Sequence, residues 1–208
     1  MSEKYAIVID AGFLKQKLRQ RLQKKVIQAE DIVDYCNELR KCDDLKKLEL
    51  FRIYYYDCPP YQGQETHPFT KKNEDFSASR YARQNQRILD KLELEPSFAV
   101  RKGCLMMHGW KLGDAALKRM ENETSPTISG NDLIPDMKQK QVDMKIGLDI
   151  AWLSIKKIVD RIVLITGDQD FIPIMKFSRK EGVIIYLNHL GHSVTRELKV
   201  HADHLIEI

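Results

Sequence analysis

Hydrophobic and polar positions along the chain follow two alternating patterns, short apolar runs and longer amphipathic stretches. Short apolar runs rich in β-branched residues predict buried strands at residues 5–9, 48–56, 161–165 and 183–187. Between them, apolar residues recur at helical spacing, which predicts helices flanking the strands. The alternation of the two patterns predicts an α/β fold, a Rossmann-like three-layer arrangement with a mostly parallel central sheet between helices.

Residues 113–139 follow neither pattern. This stretch is rich in Ser, Thr, Asn, Pro and charge and holds few apolar residues. We therefore expect an insertion or a mobile loop there, which could act as a lid over a site. With 208 residues and no visible internal repeat, the chain is long enough for one α/β domain with a substantial core, and we predict a single domain over residues 1–208.

Acidic residues stand where predicted strands end and helices begin. Asp10 directly follows the first strand, Asp168 and Asp170 follow the strand 161–165, and Asp143 opens an amphipathic segment. Ligands of doubly wound sheets bind at the carboxyl ends of the strands. Crowded carboxylates repel one another unless a cation neutralises them, and such oxygen ligands suit Mg²⁺ or Mn²⁺. The alternative interpretation is that each Asp is a helix cap or a turn residue.

The residues around these acids resemble the motifs of NYN domains, which are PIN-like metal-dependent nucleases, and the bacterial LabA-like branch is the most similar. The matching segments are residues 9–14 (IDAGFL), 140–143 (KQVD), 165–171 (ITGDQDF), 177–187 (FSRKEGVIIYL) and 198–206 (LKVHADHLI). The resemblance is weak between residues 59 and 140. The chain also departs from the family at Phe13, where many members carry Asn.

This resemblance implies a metal-dependent nuclease, specifically an endoribonuclease that hydrolyses RNA phosphodiester bonds with a cation-activated water. It implies Mg²⁺ or Mn²⁺ as cofactor, with Asp10, Asp143, Asp168 and Asp170 as metal ligands and catalytic residues. RNA is the substrate favoured by the resemblance, and nothing in the spacing distinguishes RNA from single-stranded DNA. Two other classes stay open: a non-catalytic module that binds nucleic acid or protein, supported by Phe13, and a small-molecule phosphohydrolase.

Basic residues and one hydroxyl close to these acids are candidates for substrate binding. A site that cleaves a polyanion needs positive charge beside its carboxylates, because these would otherwise repel the phosphates. Lys15 and Arg19 lie in the first predicted helix, Lys140 and Lys145 flank the third acidic position, and Thr166 could orient a phosphate through its hydroxyl. The alternative is that these cations only form the solvated faces of helices.

Composition limits the expected partners and cellular location of the protein but does not indicate a function. The net charge of +4 permits a nucleic-acid partner and does not require one. No long uncharged apolar run is present, and the first strand begins near the first residue, so we expect no membrane association and no signal peptide. The four cysteines lack paired C-x-x-C spacing, which favours reduced thiols and a cytoplasmic location. A homo-oligomer is compatible with the sequence.

Overall fold

The computed structural model describes residues 3–123 and 125–208. The strands and helices among these residues are β1 (Lys4–Asp10), α1 (Ala11–Arg21), α2 (Ala29–Arg40), β2 (Glu49–Asp57), β3 (Gln64–Thr66), β4 (Asn73–Asp75), α3 (Arg80–Leu94), β5 (Phe98–Lys102), β6 (Cys104–Leu112), α4 (Asp114–Met120), β7 (Leu133–Lys140), α5 (Val142–Ile155), β8 (Arg161–Ile165), α6 (Ile172–Lys180), β9 (Ile184–Asn188), α7 (Arg196–Val200) and β10 (His204–Leu205). Short 3-10 turns occupy Gly130–Asp132 and Gln169–Phe171.

Six of these strands form one sheet in the order β10-β9-β8-β1-β2-β5, and every pairing within it is parallel. Because the strands are parallel, their carboxyl ends lie at one edge. At that edge Ile9 is in register with Ile165, and Asp10 with Tyr56. The predicted α/β fold with a parallel central sheet is therefore confirmed.

The central strands are apolar on both faces because helices cover them. Ile7 of β1 and Val163 of β8 are fully buried, as are Leu14 of α1 and Ile32 of α2. Continuous apolar runs are typical of parallel strands buried on both sides, which explains why the strand signals in this sequence are so clear. Element boundaries shift by a few residues from the sequence-based expectation. For example, α1 begins at Ala11 because Asp10 caps it.

The chain divides into two compact units. The first comprises Met1–Asp57, Arg87–Gly103 and Gln141–Ile208 and contains the six-stranded sheet. The second comprises Cys58–Gln86 and Cys104–Lys140. Within it, β3 pairs with β4 and β6 pairs with β7, both antiparallel.

Residues 113–139, where the composition predicted a loop, contain the helix α4 and most of strand β7. Pairing with β6 orders β7 from Leu133 to Lys140. Arg119 donates two hydrogen bonds of 2.9 Å to the carboxylate of Asp132, which also caps the turn at Ser129. The β6 strand and Arg119 are distant in sequence from the residues that they contact, and such tertiary contacts override local propensity. Among the described residues, the structure contains no helix with the length and apolar character needed to cross a membrane.

Candidate active site

Asp10 joins the central strand to the first helix. It is the last residue of β1 and the N-cap of α1, and its carboxylate accepts a hydrogen bond from the Phe13 N–H at 3.3 Å. A carboxylate is well placed there because the free N–H groups of the first helical turn attract negative charge. This capping role explains the local structure around Asp10.

Asp168 holds the turn that follows β8. Its side chain caps the 3-10 turn by accepting the Asp170 N–H at 2.9 Å, and its own N–H donates to Thr166 Oγ1 at 3.1 Å. Thr166 is fully buried, whereas Asp168 and Asp170 are exposed. The Thr166 hydroxyl therefore lies beneath the turn and fixes the backbone of Asp168.

Asp143 is presented by the first turn of α5. The residue before the helix, Gln141, adopts a left-handed conformation with φ of 72°. This conformation is uncommon for a residue other than glycine, and it sets the direction in which the helix starts. Asp143 is exposed at that helix start, where the helix dipole favours its charge.

The four acids affect one another electrostatically, and all of them belong to the first unit. The pKa of Asp10 is raised from 3.8 to about 6, chiefly by burial. The carboxylates of Asp143 and Asp168 contribute to the rise, and hydrogen bonds from backbone N–H groups oppose it. Burial likewise raises the pKa of Asp143, with contributions from Asp168 and Asp170. The structure thus brings negative charge from three separate elements towards one region.

The donor set of this region suits a hard divalent cation in chemical type. Every donor is a carboxylate oxygen, as Mg²⁺ and Mn²⁺ prefer. The charge of a bound cation would offset the burial and the neighbouring carboxylates that raise the pKa of Asp10. Within residues 3–123 and 125–208, however, no three His, Cys, Asp or Glu side chains are grouped closely enough to hold an ion as they stand. The acids face a common region without forming a closed coordination shell.

Phe13 and Gly167 meet beside these acids. A Cβ placed on Gly167 would lie 2.6 Å from Cε2 of the Phe13 ring, so the aromatic ring packs directly on the backbone of the Thr-Gly-Asp turn. Lys17 Nζ lies 5.8 Å from the ring centroid and 2.9 Å from His192 Nδ1. The side chain that replaces the family Asn is thus a packing element between α1 and the turn after β8.

The candidate cations have different environments. Lys15 is buried and pairs with Asp57 at 2.5 Å, so it belongs to the interior of the first unit. Arg19 is exposed on α1, and Lys140 is exposed at the end of β7 in the second unit. Lys145 is partly buried and donates a hydrogen bond of 2.6 Å to the Lys102 carbonyl.

The acid at the end of β2 is not among the site residues predicted from the sequence. Asp57 is buried, pairs with Lys15 and lies 3.4 Å from the Tyr55 hydroxyl. It follows an apolar strand directly, as Asp10 does, and that shared position was the available signal. A further acid, Asp149 of α5, accepts hydrogen bonds from Tyr56 at 2.7 Å and from a neighbouring arginine.

A parallel α/β sheet with acids at its carboxyl edge is consistent with a PIN-like, Rossmann-like fold. The model of the NYN domain family matches residues 115–208, a range that includes Asp143, Asp168 and Asp170. Residues 115–208 are therefore similar to the NYN domain family, as the motifs predicted. Asp10 lies outside the matched range.

Among solved structures, a protein of unknown function from Vibrio parahaemolyticus is similar to this chain, with a TM-score of 0.56 and 17% sequence identity. The similarity covers 100% of this chain and 93% of that chain. At this identity the likeness shows a shared fold and nothing more. No curated protein matches the sequence at a significant level.

Proposed function

We propose that the protein is a metal-dependent endoribonuclease that hydrolyses RNA phosphodiester bonds. The observation that carries this proposal is the electrostatic contact among Asp10, Asp143 and Asp168, which come from three elements of an NYN-type fold. A purely structural group of acids would be expected to pair with cations, as Asp57 pairs with Lys15. Asp143 and Asp168 instead contribute to the raised pKa of Asp10, and such unfavourable interactions are typical of functional sites.

Asp10, Asp143 and Asp168 would hold Mg²⁺ or Mn²⁺, with Asp170 at the rim. A divalent cation bound there supplies a water of lowered pKa and neutralises charge on the phosphate oxygens. The chain's own contribution is to orient these carboxylates. The Phe13 N–H fixes the carboxylate of Asp10, and Thr166 holds the turn that presents Asp168.

Substrate binding is assigned to exposed cations near the acids. Arg19 lies on α1, the helix that Asp10 caps, and its exposed guanidinium can pair with a phosphate. Lys140 and Lys145 flank Asp143 in the chain and are further candidates. Lys145 donates one hydrogen bond to the Lys102 carbonyl and has other N–H groups with which to bind a phosphate. Lys15 and Thr166 contribute from below the surface by supporting the scaffold. Single-stranded DNA remains an alternative substrate.

The proposal is tested by incubating the purified protein with labelled RNA, labelled single-stranded DNA and a generic phosphate ester, each with Mg²⁺, Mn²⁺ or chelator. We expect cleavage of RNA that requires the metal and stops with chelator. Asp10→Asn and Asp168→Asn should abolish cleavage. Asp160→Asn is the matched control, because Asp160 precedes β8 at the opposite edge of the sheet and should leave cleavage intact.

Two outcomes would replace the proposal. Tight RNA binding with intact RNA after long incubation with Mn²⁺ would show a binding module, the alternative that the Phe13 substitution favours. Hydrolysis of the phosphate ester without cleavage of either nucleic acid would show a phosphohydrolase.

A further inference from the structure

The helix α5 exposes a row of large apolar side chains to solvent. Met144 is 68% exposed, Leu148 62%, Trp152 49% and Ile155 55%. Their spacing of four, four and three residues places them on one face of the helix. We call these four residues the α5 stripe.

The opposite face of α5 is already buried. Ile146, Ile150 and Leu153 are at most 1% exposed, so the helix is apolar on both sides. A surface helix normally carries polar residues on its outer face, and a helix that is apolar all round is normally covered. Single exposed apolar side chains are common, whereas a contiguous row marks a surface that binds another molecule.

We propose that the α5 stripe is the contact surface between two copies of this chain, with the two α5 helices antiparallel across a two-fold axis. The row is self-complementary about a point between Leu148 and Trp152. In this arrangement Met144 lies opposite the partner's Ile155, and Leu148 opposite the partner's Trp152. A Cβ built on Gly147 meets nothing within 4 Å, so space exists beside the stripe for the indole ring of the partner's Trp152.

The charges at the ends of the helix favour the same orientation. Asp143 is exposed at the start of α5, and Lys156 and Lys157 are exposed just after its end. An antiparallel pair places each acidic end beside a basic end, while a parallel pair would bring like charges together. Antiparallel pairing also sets the two helix dipoles in opposite directions.

The available area is sufficient for a specific contact. Four half-exposed side chains of this size bury on the order of 500 Å² per copy, so two copies bury about 1,000 Å², the lower limit for a specific interface. Because Asp143 adjoins Met144, the dimer would place one acidic region at each end of the helix pair. The α5 stripe itself contains none of the proposed metal ligands, so dimerisation is tested without measuring cleavage.

Sedimentation equilibrium over a range of protein concentrations tests the interface. We expect the wild-type chain to have twice the monomer mass at about 50 µM, and Leu148→Glu and Trp152→Glu to weaken dimerisation about 100-fold or more. Leu94→Glu is the matched control, because Leu94 is 86% exposed on α3 and should leave the dimer intact. A wild-type monomer at this concentration, or a dimer that survives Leu148→Glu, would overturn the proposal.

Cross-linking tests the orientation. In a Cys104→Ser background, which removes an exposed thiol, one preparation carries Met144→Cys and another carries Ile155→Cys. A short bis-maleimide should link the two preparations only after they are mixed, since an antiparallel pair brings position 144 beside the partner's position 155. Linkage of either preparation alone above the background level would contradict the antiparallel arrangement. Circular dichroism melts of all variants establish that they are folded.

Discussion

At the scale of single residues, the ionised form of Asp10 is unfavourable in the metal-free protein. Burial and two neighbouring carboxylates raise its pKa from 3.8 to about 6. Because the folded-state pKa lies above the unfolded value, its contribution to stability is fully present below about pH 4 and lost as the pH rises through about 6. At neutral pH the ionised group costs roughly 3 kcal/mol at most.

Asp10→Asn should therefore stabilise the metal-free protein near pH 7, by about 1–3 kcal/mol in urea unfolding, with a gain that shrinks towards about pH 4. The amide oxygen can still accept the Phe13 N–H and keep the cap.

Asp31→Asn is a control of opposite sign. Burial raises the pKa of Asp31, but the hydrogen bonds from Lys24 and the Gln28 N–H outweigh burial and lower it overall. Asp31→Asn should therefore destabilise the protein near pH 7. A destabilised Asp10→Asn variant at neutral pH would show that Asp10 is primarily structural.

The contact between Phe13 and Gly167 gives a second prediction. Gly167→Ala places a Cβ 2.6 Å from a ring carbon and should lower the free energy of unfolding by about 1–3 kcal/mol. Phe13→Ala removes the clash, so the double variant should be more stable than the sum of the single effects predicts. A double-mutant cycle by urea unfolding measures this coupling. Purely additive effects would show that the ring and the turn are not in contact in solution.

Arg19 gives a third prediction, on binding. Arg19→Ala should weaken RNA binding and reduce the slope of log affinity against log salt by about 1, because one phosphate contact fewer releases fewer counterions. Fluorescence anisotropy at several salt concentrations measures the slope. Lys47→Ala is the control, since Lys47 is exposed before β2, at the amino edge of the sheet, and should leave the slope unchanged. An unchanged slope for Arg19→Ala would place RNA elsewhere.

The positions of the acids at the edge of the sheet could be predicted from the sequence, whereas the environments of the cations could not. Asp10 directly follows an apolar run and Asp168 follows one after a Thr-Gly turn, and an acid at the end of a parallel strand lies at the ligand-binding edge whatever the details of packing. Lys15 differs, because a run of charges in a helix does not show which members face the sheet. Its buried position depends on Asp57, a partner 42 residues away in the chain.

At the scale of elements, the pair of Lys15 and Asp57 ties α1 to the end of β2. Lys15→Ala should lower the free energy of unfolding by about 3–5 kcal/mol, because it removes the cation beside a buried carboxylate. Replacing both residues, as Lys15→Met with Asp57→Leu, should recover most of that loss, since a hydrophobic pair avoids the desolvation cost. Urea unfolding measures both variants. If Lys15→Ala left stability unchanged and weakened only RNA binding, Lys15 would be a surface contact.

Some strands could be predicted from the sequence and others could not, for a physical reason. The strands β1 and β8 are apolar on both faces, so each one is identifiable without knowledge of its neighbours. The strand β7 reads LIPDMKQK, with proline and charge, and becomes a strand because β6 pairs with it. Such a strand depends on its partner, and local pattern alone does not reveal it.

At the scale of the whole molecule, the parallel sheet gathers acids that are far apart in sequence. Asp10 and Asp168 follow adjacent strands, and Asp143 comes from the start of α5. No single element contains all of these acids, so the repulsion between their charges is present only in the folded state. Each ionised acid that repels another in the native protein is free of that repulsion when the chain unfolds. Metal binding at the proposed site would therefore be linked to global stability.

This linkage predicts that Mg²⁺ or Mn²⁺ raises the melting temperature of the wild-type chain. A ligand that binds only the folded state at 100 times its dissociation constant stabilises it by about 2.7 kcal/mol, with a further contribution if the cation relieves repulsion. Asp168→Asn should remove most of the shift, while Asp160→Asn, at the opposite edge of the sheet, should keep it. Thermal melts across a metal titration, with Na⁺ at matched ionic strength, separate specific binding from screening. Equal shifts in all three proteins would mean that the cation acts on the general surface, and the acids at the sheet edge would then have to serve a purpose other than holding a metal.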